Sequence, residues 1–330
     1  MNAALTWARL SFRQQRWELI LVVVGTAIVA GVMLWFADAL TAMIAANPGC
    51  LPTTDSGPAP SCVAVVNSYY ETQGWADQLL LFSFAAPFGM GVLLGAPLVA
   101  REIDGGTAQL AWTLSRSRVT WLLRRIAFVA TVVALLLGVL AVTSEVLAAA
   151  LWPESDLAHD FTYIGRRGWL IVARGMGALG LGLLVGALVG RVLPAILASA
   201  LVIGLAFTGL SLLHDRWLRA DAVVWDQATQ VLEHGSMYLD SGIRTADGTI
   251  YTWSEAHELG LDASYIDERG QMFASEADMV AGRTLGTDIA FVVPGSRYPT
   301  EVLRQGAVAG GLALGALGLA ALVVRRRRPV

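Results

Sequence analysis

The stretch Arg101–Arg125, R-E-I-D-G-G-T-A-Q-L-A-W-T-L-S-R-S-R-V-T-W-L-L-R-R, is a short, charged, helix-capable segment held between two long apolar runs. A segment so placed lies at a membrane face. Asp104 and Thr107 bracket a Gly-Gly turn, and both can accept from the free amide groups of a helix start. The expectation is a turn at Asp104–Thr107 followed by a short helix over Ala108–Leu114. Trp121, Arg124 and Arg125 then lead into the next apolar run, the aromatic and basic mixture that sits at headgroup level.

The runs on either side fit that placement. Of 330 residues, 55% are hydrophobic and 15% charged, and the mean hydropathy is +0.59. Those figures lie outside the range of soluble domains. A helix needs about 20 mostly apolar residues to cross the hydrocarbon core. Six segments qualify, at about 19–43, 79–100, 126–152, 169–190, 192–213 and 304–324. Pro87 and Pro97 interrupt the second and Arg174 the fourth, but membrane helices tolerate Pro when neighbours re-satisfy the backbone. The first run follows Arg9, Arg13 and Arg16, and Ala37-Asp38-Ala39 imitates a leader cleavage site. Its apolar core, Leu19–Ala37, exceeds the roughly 7–15 residues of a signal peptide, so an uncleaved anchor is expected.

Every basic residue is Arg, and Lys is absent, a bias that fits a bacterial chain from a GC-rich genome. A nucleotide-binding P-loop needs a Lys on the β- and γ-phosphates. Any ATP-driven work must therefore be powered by another polypeptide, and this chain is not read as an enzyme.

With six spans both termini share one side. That side carries thirteen Arg against three acids (Glu18, Glu102, Asp104); the other carries nine Arg against twenty-two acids. Basic residues near span ends stay cytoplasmic, which puts both termini inside a plasma membrane. On the outer side, the loop at 44–78 has no basic residue and holds the only two cysteines, Cys50 and Cys62. A disulfide is expected there; free thiols and a metal site are the alternatives, the latter short of ligands.

The segment at 214–303 is too long for a connector. Its amphipathic pieces at Ala222–Tyr238 and Ser254–Ile266, with turns at Asp247-Gly248 and Arg269-Gly270, predict a small, mostly helical extracytoplasmic domain. All four histidines (His159, His214, His234, His257) lie on this side, each beside an acid. None has the spacing of a metal site, and no metal is expected.

Inside the spans, Gly175–Gly180 matches G-x-G-x-x-G, but the dinucleotide fingerprint needs a strand before it and a helix after it, so the match is accidental. Gly91/Gly95, Gly182/Gly186/Gly190, Gly306/Gly310 and Gly311/Gly315 recur every four residues, a spacing that lets helix backbones approach closely in lipid. They serve packing within the chain or a dimer seam. Glu145 and Arg174 reach similar depths and could pair. Asp38 reads as a solvated helix end. Before the first span, residues 1–18 form a basic amphipathic helix suited to the inner headgroup layer.

The acid-rich start, the Gly-Gly-Thr turn and the following L-x-x-T-L-S-R-S-R and W-L-L of Arg101–Arg125 resemble the cytoplasmic loop of type-2 ATP-binding-cassette (ABC) exporter permeases. The N-terminal helix and six-span plan extend the resemblance to roughly 240 residues, leaving out the large outer segment. The resemblance implies that the loop couples to a separate ATPase: Arg101, Glu102, Asp104, Gly105, Thr107 and Leu110 would face that partner, with Arg116 and Arg118 positioning the loop. It also implies a second permease subunit, identical or related, and ATP and Mg bound by the ATPase rather than by this chain. A lipophilic or amphipathic cargo (drug, lipid or peptide) would suit the apolar lining.

The expected fold is thus all-α: an interfacial helix (1–18), five spans (19–213) with an inner loop at 101–125, an outer domain (214–303), and a sixth span with a basic tail (304–330). Two other readings stay open. An ion-coupled carrier would want an acid at mid-membrane, which no span has. A membrane sensor or scaffold would bind a ligand through its outer domain.

Overall fold

The computed structural model describes residues 16–50, 60–106, 117–226, 232, 235–261, 263, 265–267 and 270–326. Among these residues six helices are long and apolar enough to cross a membrane. In chain order they are α1 (Arg16–Ala46), the segment Val63–Asp104, α4 (Arg118–Leu151), α5 (Leu170–Val189), α6 (Val192–Asp221) and α9 (Tyr298–Arg326). The second span has three parts: α2 (Val63–Met90), a π-helical turn at Gly91–Gly95, and α3 (Ala96–Asp104). The helices run past the apolar cores expected from sequence, because polar and aromatic residues at the ends continue them. The largest difference is the outer loop at 44–78, which is helical from Val63 onward. The N-terminal helix expected over 1–18 lies outside the described residues up to Gln15.

Two units divide the chain. One comprises Met1–Pro153, Tyr163–Gly209 and Val302–Val330; the other comprises Glu154–Thr162 and Leu210–Glu301.

In the first unit α1 buries Leu19, Val22, Thr26, Ala30, Met33, Ala37 and Leu40, a stripe spaced three or four residues apart, and packs chiefly on α4. α5 is the central helix: thirteen of its twenty residues are buried. Its glycines explain how it fits there. A Cβ on Gly182 would strike the Gly91 carbonyl, and one on Gly186 would strike the Ala96 carbonyl. Across the seam, a Cβ on Gly91 would lie 2.6 Å from Ala178 and one on Gly95 2.8 Å from the Leu179 carbonyl oxygen. The second span and α5 therefore meet backbone to backbone, the close approach that small residues permit in lipid. On the opposite face Gly177 and Gly180 sit against the Ala309 and Ala313 carbonyls of α9. Gly190 ends α5 at φ 70°, the left-handed cap that glycine adopts without penalty. The G-x-G-x-x-G match falls inside this helix, as expected for an accident.

The π-helical turn begins four residues after Pro87. Proline supplies no N–H to the ladder, and the Gly91 N–H donates to both the Pro87 and Phe88 carbonyls. That irregular turn supplies Gly91 and Gly95 to the seam.

Cys50 and Cys62 are joined in a disulfide, with Cα atoms 5.3 Å apart. Cys62 is buried in a cluster with Met33, Leu40, Tyr69, Leu80 and Leu151. Both cysteines are expected to resist a bulky maleimide in the native protein and to take it up only after reduction and unfolding. Cys50→Ser is expected to cost about 2–3 kcal/mol, the loop-closure entropy of a loop this short, read as lower thermostability on a size-exclusion assay.

The second unit corrects the expectation of a helical outer domain, and with it the all-α fold class. It is built on a six-stranded antiparallel sheet: β1 (Val223–Asp226), β2 (Met237–Thr245), β3 (Ile250–Thr252), β4 (Tyr265–Ile266), β5 (Gln271–Phe273) and β6 (Gly286–Val293). β6 is the organiser. One edge pairs with β2 along its length; the other pairs with β1 at one end and β5 at the other. Two short helices, α7 (Trp253–Glu258) and α8 (Glu276–Val280), intervene. α7 starts with a capping box in which Thr252 and Glu255 bond each other's backbone amides. A small core of Ile243, Ala256 and Met272, flanked by Tyr251, Trp253 and Leu285, sits beneath. Residues 154–162 also join this unit: the Phe161 N–H donates to the Gly235 carbonyl at 3.0 Å.

The histidines have separate roles. His159 bonds Asp156 at 2.7 Å and holds its carboxyl below the usual carboxylate range. His214 lies 3.5 Å from the fully buried Glu301, and His234 lies outside the described residues. Among the described residues no three His, Cys, Asp or Glu gather where they could hold a metal ion.

Candidate functional site

The end of the first unit that carries the loop after α3 is tied together by three polar contacts between helices, each from a residue in the last turn of α3. Arg101, in the last turn of α3, bonds Glu18 in the first turn of α1. Glu102 turns the other way and is buried, 2.7 Å from the Arg125 guanidinium of α4, itself only 4% exposed. Arg125 in turn lies 5.7 Å from the ring centroid of the buried Trp121, one helical turn earlier. Asp104 accepts from the Val192 N–H at 3.2 Å, capping a free amide at the start of α6.

These contacts follow from the local sequence. α3 is short and ends where Gly105 donates back to the Arg101 carbonyl and Gly106 adopts φ 68°. That stop leaves the side chains of one helical turn pointing in different directions: Arg101 to α1, Glu102 to α4, Asp104 to α6. On the far side of the loop, the Ser117 hydroxyl accepts from the Thr120 N–H at 3.0 Å and starts α4 at Arg118. Both ends of the loop are therefore clamped.

The residues singled out in the sequence distribute unevenly over this arrangement. Arg101, Asp104 and Gly105 stand at the loop's entry, with Asp104 and Gly105 exposed, and Arg118 is the first residue of α4. Thr107, Leu110 and Arg116 lie outside the described residues. Glu102 is buried instead of exposed, its carboxylate facing Arg125 inside the helix bundle. Sequence reasoning passed over Arg125 as a headgroup anchor. Its signal was the Trp121–Arg125 spacing, which puts the two side chains on one helix face, together with an acid at the mirrored end of the loop.

At the opposite end of the unit, the pair expected between Glu145 and Arg174 is not formed. Glu145 bonds Arg167 at 2.9 Å, supplied by the segment between α4 and α5. Arg174 donates to the Gly165 carbonyl at 3.0 Å and the Gln305 side-chain carbonyl at 2.7 Å, with the Phe84 ring 5.3 Å away. The left-handed Gly165 and Gly168 let the connecting segment close over both charges: a Cβ at Gly168 would lie 2.6 Å from the Glu145 carboxylate. Depth alone suggested the pairing, and the intervening arginine displaced it.

A family model described as ABC-2 membrane transporter related matches residues 23–219. No curated protein and no solved structure matches the chain.

Proposed function

The chain belongs to the ABC-2 membrane transporter related family, and from that premise we propose that it is the membrane-spanning subunit of an exporter driven by a separate ATPase. It is a multi-pass membrane protein and a transport component. The observation that carries the finer reading is the loop clamped at both ends. A coupling element must be exposed at its middle and rigid at its ends, because a flexible attachment would absorb the partner's motion. Here the α3 end is held to α1, α4 and α6 by Arg101, Glu102 and Asp104, and the α4 end is held to α3 by the same buried Glu102–Arg125 pair. The Arg-rich bias of this side fits a cytoplasmic face, where the ATPase and its ATP and Mg reside.

In this reading ATP binding closes two ATPases, the loop moves as a lever, and two permease subunits rock between inward-open and outward-open states. Rigid-body rotation of this sort is a common switching device. This chain performs no covalent chemistry; its residues transmit force and line the route. The long, apolar and sparsely charged spans suit a lipophilic or amphipathic cargo. The second unit's sheet lies wholly beyond the family match, and it favours a second reading, in which that unit binds a ligand and the clamped loop reports it.

The test is affinity purification of the full chain from its native membrane in mild detergent, with mass spectrometry. Wild type is expected to retain an ABC ATPase. Thr107→Arg, placed in the loop between the clamps, is expected to reduce that recovery at least about tenfold, the effect of roughly 1.4 kcal/mol at an interface. Equal recovery from both proteins would remove the loop from the interface. Recovery of a kinase instead of an ATPase would support the sensing alternative.

A further inference from the structure

The first span carries an acid that nothing above uses. Asp38 was read as a solvated helix end, but α1 continues for eight more residues to Ala46. Asp38 lies seven residues beyond the helix midpoint, about 10 Å along the axis at 1.5 Å per residue. With the midpoint of α1 at the bilayer centre and a hydrocarbon half-thickness of about 15 Å, the exposed Asp38 carboxylate falls within the apolar slab, at the end of the unit opposite the clamped loop.

It opens on a cleft of about 470 Å³ between α1 and α4. The walls are Leu34, Ala37 and Ile44 from α1 and Val146, Ala149 and Ala150 from α4. Thr41, also in the wall, donates its hydroxyl to the Ala37 carbonyl at 2.8 Å. Asp38 is therefore the cleft's charged group, and among the described residues no cation pairs with it. The arginines at this end are engaged elsewhere: Arg166 with Asp77, Arg167 with Glu145, Arg174 with Gln305. The segment 47–77, which follows α1, contains no basic residue at all.

We propose that this cleft binds a cationic amphiphile, its ammonium head on the Asp38 carboxylate and its apolar body between α1 and α4. An intramembrane acid without a partner is costly and marks a ligand path by default. A ligand cation removes that cost, while a neutral molecule of the same shape leaves the carboxylate unpaired and an anionic one is repelled. The volume falls within the roughly 300–1,000 Å³ of pockets that hold drug-sized ligands. As a cargo site the cleft rests on the permease reading; as a binding site it does not.

The test uses the full chain in phosphatidylcholine nanodiscs without ATP or ATPase. Three diazirine-bearing dodecyl probes of equal chain length are compared, with trimethylammonium, hydroxyl and sulfonate heads, and crosslinked peptides are mapped by mass spectrometry. The trimethylammonium probe is expected to label 34–44 and 146–153 saturably, about tenfold more than the other two. Asp38→Asn is expected to reduce that labelling to the level of the hydroxyl probe, and Asp38→Glu to retain it. Equal labelling by all three heads, the result of a lipid acyl-chain groove, overturns the proposal. So does an Asp38→Asn protein that still prefers the cation. If Asp38→Asn fails to fold, the head-group series on wild type decides alone. Because no ATPase is present, failure here leaves the coupling reading untouched, and loss of ATPase co-purification leaves this site untouched.

Discussion

Gly186→Leu is expected to abolish the folded first unit, with Gly182→Leu close behind. A Cβ at either position runs into a backbone carbonyl of the second span, Ala96 for Gly186 and Gly91 for Gly182. Backbone oxygen in a helix cannot rotate away as a side-chain tip can, so the two spans must separate along their length. Ordinary overpacking costs about 1–3 kcal/mol. Separation costs more here, because close van der Waals packing is a main source of helix association in lipid, and α5 is the most buried of the spans. The readout is the yield of monodisperse protein by fluorescence-detected size exclusion. Gly311→Leu on α9 is the internal control: a Cβ there meets nothing within 4 Å, and near wild-type yield is expected. A wild-type profile for Gly186→Leu would mean that α5 and the second span are not in backbone contact.

The same seam shows how far the sequence could be read. Gly182, Gly186 and Gly190 at four-residue spacing announced a close-packing face, and two of them form one. What spacing could not say was which helix lies opposite, nor that Gly190 is a helix terminator instead. Gly311 and Gly315 have the same spacing, and a Cβ at either meets nothing within 4 Å in the chain. Periodicity is a local property of one helix, and the partner is chosen by the fold of the whole chain. The span count and the disulfide were legible for the same reason: length, apolarity and two cysteines in one loop are local facts.

The second unit was misread because its defining contacts are distant in sequence. β2 pairs with β6 from Met237↔Val293 to Thr245↔Gly286, and the stretch Gly286–Val293 declares itself a strand only once that partner is known. The other strands are two to four residues long, too short for a period-two pattern to outweigh a chance amphipathic helix. The turn at Asp247-Gly248 was visible; it closes the β2–β3 hairpin, with the Thr245 N–H on the Thr249 carbonyl at 3.0 Å. Turn chemistry marked where the chain reverses without revealing what it connects. At the clamped loop the composition correctly marked the place. It misassigned Glu102, because a charge beside a membrane face is equally at home facing outward or paired inward.

That reassignment sets the other large effect. Glu102→Ala is expected to destabilise the first unit by about 3–5 kcal/mol, the cost of leaving one member of a buried ion pair without its partner. The loss is not that of a surface contact: Arg125 is 4% exposed and stacked near Trp121, so its charge cannot reach water when the carboxylate is gone. Replacing both members, Glu102→Leu with Arg125→Met, removes the stranded charge and is expected to restore most of the stability, since apolar replacement of a buried pair is often neutral or favourable. Stability is read from thermal challenge followed by size exclusion. The double variant then separates two roles. If the pair serves only the fold, ATPase recovery and transport return with stability. If it also holds the loop's two ends in register, the double variant folds and binds the ATPase, yet ATP-driven movement of cargo in vesicles stays below a tenth of wild type, about 1.4 kcal/mol of lost coupling. Arg101→Gln serves as the comparison. Its pair with Glu18 is partly exposed, such pairs contribute about 0–1 kcal/mol, and stability is expected to stay near wild type. A Glu102→Ala protein as stable as wild type would show that Arg125 has another route to neutralisation, and the clamp at that end of the loop would have to be assigned to Asp104 alone.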